Sequence, residues 1–284
     1  MLIALRNSPF STMGRHLTVK TSIRISRLFA FLAISTLVAA VTLPAAVPDS
    51  SKADKLIAQA SNYSEKTFEN QKAIQTLEAA LKEEPNNYEA LWRLSRALVD
   101  YGEHLPAGTD QEKAEQLKIY ERSLEVANKA IAANANGSMG YTRRAIANGR
   151  IALFKGVWES LDLVKQTKAD CEKAIAIDGS SAAAYYVLGR THMKVSEKPK
   201  IVRWPLGLGW ASMEESIKNL EKSIALRPDF IMYRIDCARA YIEEDENDKA
   251  RNHLTTIGTL PTLDEDDAQF RKEALELLEK IKNK

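Results

Sequence analysis

Five arginines are the residues of this chain best suited to chemistry, and that chemistry is recognition. Arg96, Arg190 and Arg239 stand at one matching place in three helical stretches, and Arg93 and Arg143 share a second. A guanidinium keeps its charge and offers a planar fork, so a row of them can grip carboxylates or phosphates in pairs of hydrogen bonds. The row predicts a wall for an acidic peptide segment, a chain-terminal carboxylate or another anion. The competing reading is that Glu89, Asp100, Asp236 and Glu243 neutralise the arginines in surface pairs worth little. The sequence favours this second reading.

The next dense stretch is Lys198 to Trp210, which holds Ile201, Val202, Trp204, Leu206, Leu208 and Trp210. So many apolar side chains predict either a plug folded back on the helices or an exposed patch for a partner, lipid tail or membrane. Lys198, Lys200 and Arg203 would suit an anionic head group. Exposed tryptophan is costly, which favours the plug.

Other chemistry is missing from the pattern. No two of His16, His104, His192 and His253 have metal-ligand spacing, and Cys171 and Cys237 are 66 apart. Both cysteines fall where helices want a small apolar residue, so they read as buried thiols. Gly207-Leu-Gly209 is too short for a phosphate loop. We therefore expect no enzyme activity, no metal and no cofactor.

The elements that must position these residues are paired helices. Ser216 and Ala250, and Leu220 and Leu254, are 34 apart, and small residues recur at the crossing points. Ala73, Leu77 and Ala80 mark the first such unit, Trp92 the second, Tyr185, Leu188 and Gly189 the fourth, Ala238 and Tyr241 the fifth. Small residues let two helix backbones approach closely. The prediction is an all-α, tetratricopeptide-type solenoid of about five hairpins over residues 53–284. Three units carry insertions, and a closing helix carries Phe270, Ala274, Leu277 and Ile281 on one face. Such stacks curve, and the first helix of each hairpin lines the concave side.

Ahead of this lie residues 1–46, then a Pro/Ser linker at 47–52. Residues 1–46 hold Arg6, Arg15, Lys20, Arg24 and Arg27 and no acid, followed by the uncharged Leu28–Ala46 run. A basic flank before an apolar core predicts an export signal or membrane anchor, with translation starting at Met1 or Met13. The repeat domain would then lie outside the cytoplasm, periplasmic or held at the inner membrane; a mitochondrial presequence is the alternative. Without the leader, 35 Lys and Arg face 38 Asp and Glu, which offers nucleic acid no general attraction.

Four stretches resemble the regulator of microtubule dynamics family of tetratricopeptide proteins and its bacterial relatives. They are Ala90–Ala97 (ALWRLSRA), Lys168–Ile177, Arg203-Trp204 ahead of Met213-Glu-Glu-Ser-Ile, and the closing Asp264–Asp267 run. The resemblance spans roughly residues 73 to 281. It implies a microtubule-associated role, with some members at membranes. Two features depart from it: the leader, and Arg144 and Asn148 at places that repeats usually fill with apolar residues. The expected function is a scaffold holding a protein or peptide in its groove; a lipid or amphiphile module is the alternative, and the microtubule role requires a eukaryotic source.

Overall fold

Four helix starts among the described residues are set by short polar side chains. Ser51 and Thr109 each accept the backbone N–H three residues on, and Asp54 and Glu112 bond back, closing two capping boxes. Asn87 and Ser212 cap in the same way from one side only. The computed structural model describes residues 50–155 and 157–284; the leader, the choice of start and the first half of the linker lie outside them. Lys52, placed in the linker by sequence, is already helical because Ser51 is the cap.

Twelve α-helices follow among the described residues, with no strand. They are α1 (Lys52–Asn62), α2 (Asn70–Glu83), α3 (Tyr88–Glu103), α4 (Asp110–Ala133), α5 (Ser138–Ala152), α6 (Val157–Ile177), α7 (Ala182–Ser196), α8 (Lys200–Arg203), α9 (Met213–Leu226), α10 (Ile231–Glu243), α11 (Asn247–Ile257) and α12 (Asp267–Lys280). A π-helical turn, Tyr63–Thr67, extends α1. The hairpins are α1/α2, α3/α4, α5/α6, α7/α9 and α10/α11, with α12 closing the stack. This is the all-α tetratricopeptide-type solenoid that the 34-residue period predicts. The extra residues of the second and third units lengthen α4 and α6, to 24 and 21 residues.

The core is a string of clusters rather than one centre, as expected where each repeat touches only its neighbours. Ala73, Leu77, Ala80, Leu188, Leu220, Ala238, Tyr241, Ala250 and Leu254 are all buried. At Gly189 a Cβ would meet Leu220 Cγ at 2.8 Å and the Ser216 carbonyl oxygen at 3.0 Å, so only glycine lets α7 lie this close to α9. Tyr185 is half-buried.

The middle unit packs differently. Arg144 Nε and Nη2 donate to Asp170 at 2.8 and 2.7 Å, and Nη1 to Asn128 Oδ1 at 3.1 Å. Asp170 is only 2% exposed, so a buried, fork-bonded ion pair joins α5 to α6 where other units use aliphatic contacts. Asn148 is buried beside it on α5.

The ends of the stack also meet. Asn70 Nδ2 donates to Glu265 Oε1 at 2.8 Å, and the His104 ring lies 3.2 Å from Asp266 Oδ1 and 3.4 Å from Glu265 Oε1. The Asp264–Asp267 run opens α12, with Asp266 at its cap and Asp267 in its first turn, and also makes this tie. Asp267, buried in α12, accepts the N–H groups of Leu263 and Asp264 and fixes the loop.

Candidate functional site

The five predicted arginines sit on the first helices of successive hairpins, α3, α5, α7 and α10. Arg93 bonds Glu89 and reaches Glu65; Arg96 bonds Glu65 at 3.0 Å and Asp100 at 3.3 Å. Further along, Arg190 and Arg239 both bond Asp236, which is 1% exposed and also accepts from the Tyr186 hydroxyl at 2.6 Å. Arg239 forks onto Glu273 of α12 as well. Pairing is therefore the fate of four of the five. Glu89, Asp100 and Asp236 serve as expected. Glu243 does not, because it is exposed at the end of α10, and Glu65 and Glu273 take part instead.

Arg143 is the exception. Among the described residues no carboxylate lies within ion-pair distance of it, and its Nε is buried without a hydrogen-bond partner. Burial, reinforced by the like charge of Arg96, pulls its pKa down to about 10, so it remains a cation at neutral pH. Its guanidinium lies 5.8 Å from the Trp92 ring, which Arg93 also covers at 4.4 Å. Trp92, expected as packing, is thus half-buried in the wall, between two cations drawn to its π face.

Charges on separate hairpins act on one another along this wall. Arg143 and Arg96, from α5 and α3, both act electrostatically on Tyr233 of α10, and Arg96 also feels Asp264. Tyr233 stacks on Tyr186 at 4.6 Å, and burial raises its hydroxyl pKa. Arg150 of α5, missed by sequence, reaches Glu103 and Arg190; burial and the Arg190 charge lower its pKa. Such a surface can hold an anionic group and an aromatic or aliphatic side chain. Among these residues nothing is arranged as a nucleophile with a base.

The Lys198–Trp210 insertion splits in two. Leu208 is buried and Leu206 and Trp210 pack beside it on Leu161 and Val164 of α6, with Trp210 edge-on to His192 at 4.9 Å. Gly207, at φ +70°, turns the chain back to allow this. Ile201, Val202 and Trp204 stay outside, at 84%, 49% and 75% exposure, so the plug is only half a plug. Arg203 offers nothing to a head group, because its guanidinium is buried, donating to the carbonyls of Lys198 and Ala211. A separate cleft of about 510 Å³ lies between α6 and α9, floored by Tyr185, Leu188 and His192 of α7. Its rim charges pair within their own helices, Lys168 with Glu172 and Lys218 with Glu215.

Sequence spacing also missed a cluster of Glu221, Cys237 and His253, each 16 residues from the next and carried by α9, α10 and α11. No local motif could reveal it, since helix packing alone brings the three together. Both cysteines are free and buried, as expected, and burial raises both thiol pKa values.

Comparison with known proteins decides the family. The profile of regulator of microtubule dynamics protein 1-3 matches residues 53–282. The chain belongs to that family. It is 25% identical over 280 residues to regulator of microtubule dynamics protein 1 of Bos taurus, covering 96% of this chain and 86% of the relative. Against regulator of microtubule dynamics protein 3 of Rattus norvegicus identity is 24% over 196 residues, 66% of this chain but only 40% of the relative's length. Among solved structures, a thermophilic TPR protein of Thermus thermophilus aligns at TM-score 0.59 and 17% identity, over 80% of this chain and 98% of that one. That likeness concerns the fold.

Proposed function

We propose that this chain is a non-enzymatic binding scaffold of the bacterial envelope. Its concave groove takes a protein segment, and an acidic side chain or terminal carboxylate of that segment seats on Arg143. The observation that carries the reading is the cation without a counter-ion at Arg143, beside the Trp92 face. A partly buried charge with no acid beside it is under-satisfied, and a ligand carboxylate would answer it with two hydrogen bonds. Arg96, Arg190 and Arg239 act as walls, already committed to their own acids. The test is fluorescence anisotropy with a labelled Glu-rich hexapeptide ending in a free carboxylate and its Gln-substituted, amidated counterpart. Selective binding of the acidic peptide is expected; equal binding, or none, would sink the proposal.

Export rests on the leader of residues 1–46, and N-terminal sequencing of the natural protein tests it; an intact start in the cytoplasmic fraction would rule it out. The relatives' names point to microtubules instead, and co-sedimentation with them would replace the envelope reading.

A second surface supports a membrane contact. Ile201, Val202 and Trp204 project from α8 beside exposed Lys198 and Lys200. Trp204 is exposed while Trp210 packs on the α6 side of the insertion, an arrangement that suits docking of the exposed half on an anionic bilayer. Pelleting with phosphatidylserine vesicles, lost in Trp204→Ser, is the expected result; no pelleting of the parent protein would remove this surface from the account.

A further inference from the structure

We propose that Glu221, Cys237 and His253 form a zinc-binding site that staples α9, α10 and α11 together. His253 Nε2 lies 3.0 Å from Glu221 Oε1 and 3.8 Å from Cys237 Sγ, and the three ligand atoms all lie within 4.8 Å of one another. Tetrahedral Zn²⁺, at about 2.3 Å from sulfur and 2.0–2.1 Å from nitrogen or oxygen, needs ligand separations of roughly 3.3–3.6 Å. The cluster is already close to that spacing.

The geometry is that of ligands around a centre, not of a proton relay. In a Cys–His–acid relay the thiol and the carboxylate face opposite ring nitrogens. Here both face Nε2, and Nδ1 is buried without a partner. With Nε2 protonated, His253 and the Cys237 thiol both turn to the Glu221 carboxylate, so the three groups converge on one point. A cation at the centre accepts a lone pair from all three.

Ligand type and access agree. Thiolate, imidazole and carboxylate are a zinc set, and the two anions balance the charge of Zn²⁺ within a largely buried site. Cys237 is fully buried and His253 9% exposed, whereas the Glu221 side chain is 41% exposed and gives the way in. The Tyr241 hydroxyl donates to Glu221 Oε1 at 2.8 Å and its ring stacks on His253, so two ligands are held in place before metal arrives. Water fills the fourth position. Zinc replaces the thiol proton, which passes to solvent, so affinity falls as pH falls. The unpartnered Nδ1 removes the usual support for a metal-bound imidazole, and affinity is accordingly moderate.

The test uses untagged protein stripped with EDTA. Adding ZnCl₂ to about 100 times its Kd is expected to raise the melting temperature by roughly 5–10 °C, and Co²⁺ should give a thiolate charge-transfer band. Cys237→Ser should lose the band and most of the shift, and Cys171→Ser should keep both. If Cys237→Ser folds poorly, His253→Gln and Glu221→Gln serve in its place. Unchanged melting with no cobalt band, or a full shift in the Cys237→Ser protein, overturns the site.

Discussion

The two ends of the arginine wall solve one problem in different ways. At the front, Arg93 and Arg96 pair with Glu65, Glu89 and Asp100, acids that keep 27–46% of their side-chain surface. At the rear, Arg190 and Arg239 converge on a single Asp236 with almost no exposure, itself fixed by Tyr186. The front pairs are cheap to rearrange and are screened by salt. The rear network is part of the core and cannot let go without unfolding its unit. Arg143 stands between them with neither arrangement. A ligand would therefore enlist Arg143 and the yielding front, while the rear stays rigid.

Breaking each end should separate them by stability. Asp236→Ala is expected to cost about 3 kcal/mol, a fall of roughly 6–12 °C in melting temperature, by stranding the Arg190 guanidinium and the Tyr186 hydroxyl, with Arg239 left on Glu273 alone. Glu65→Ala at the front should cost less than about 1 kcal/mol, with the difference fading at high salt. Equal losses at the two ends would erase the contrast.

A smaller effect tests the tie between the ends of the stack. Burial lowers the His104 pKa, but the Asp100 carbonyl, Asp266 and Glu265 together raise it above its ordinary value. A raised histidine pKa stabilises the fold fully below about 6.5, the unfolded value, and that contribution is lost as pH rises through the folded value. His104→Gln should therefore melt below the parent protein in acid and approach it above neutrality. A gap that widens with rising pH would show that the His104 contacts do not work this way.

Legibility in the sequence followed the range of the interaction. Gly189, Ala238, Ala250 and Leu254 were readable because every hairpin repeats the same crossing, and repetition is a local signal. Arg144 looked misplaced by that standard, because its partner Asp170 is recognisable only once α5 and α6 are laid together. The arginines' counter-ions are only half visible in the sequence, since Glu65 and Glu273 belong to neighbouring units. The tie from Asn70 to Glu265 joins residues 195 apart, and no period announces it. The insertion was read as one piece; its two halves diverge at Gly207, where the backbone doubles back and leaves Trp204 outside.

The most direct measurement is the affinity of the Glu-rich hexapeptide for Arg143→Ala beside the parent protein, at fixed salt. Losing two charge-assisted hydrogen bonds should weaken binding by about 10- to 100-fold, with melting temperature unchanged or slightly raised because an unpaired, partly buried cation has gone. Undiminished affinity in the variant would contradict the claim that Arg143 is where the partner's anion sits.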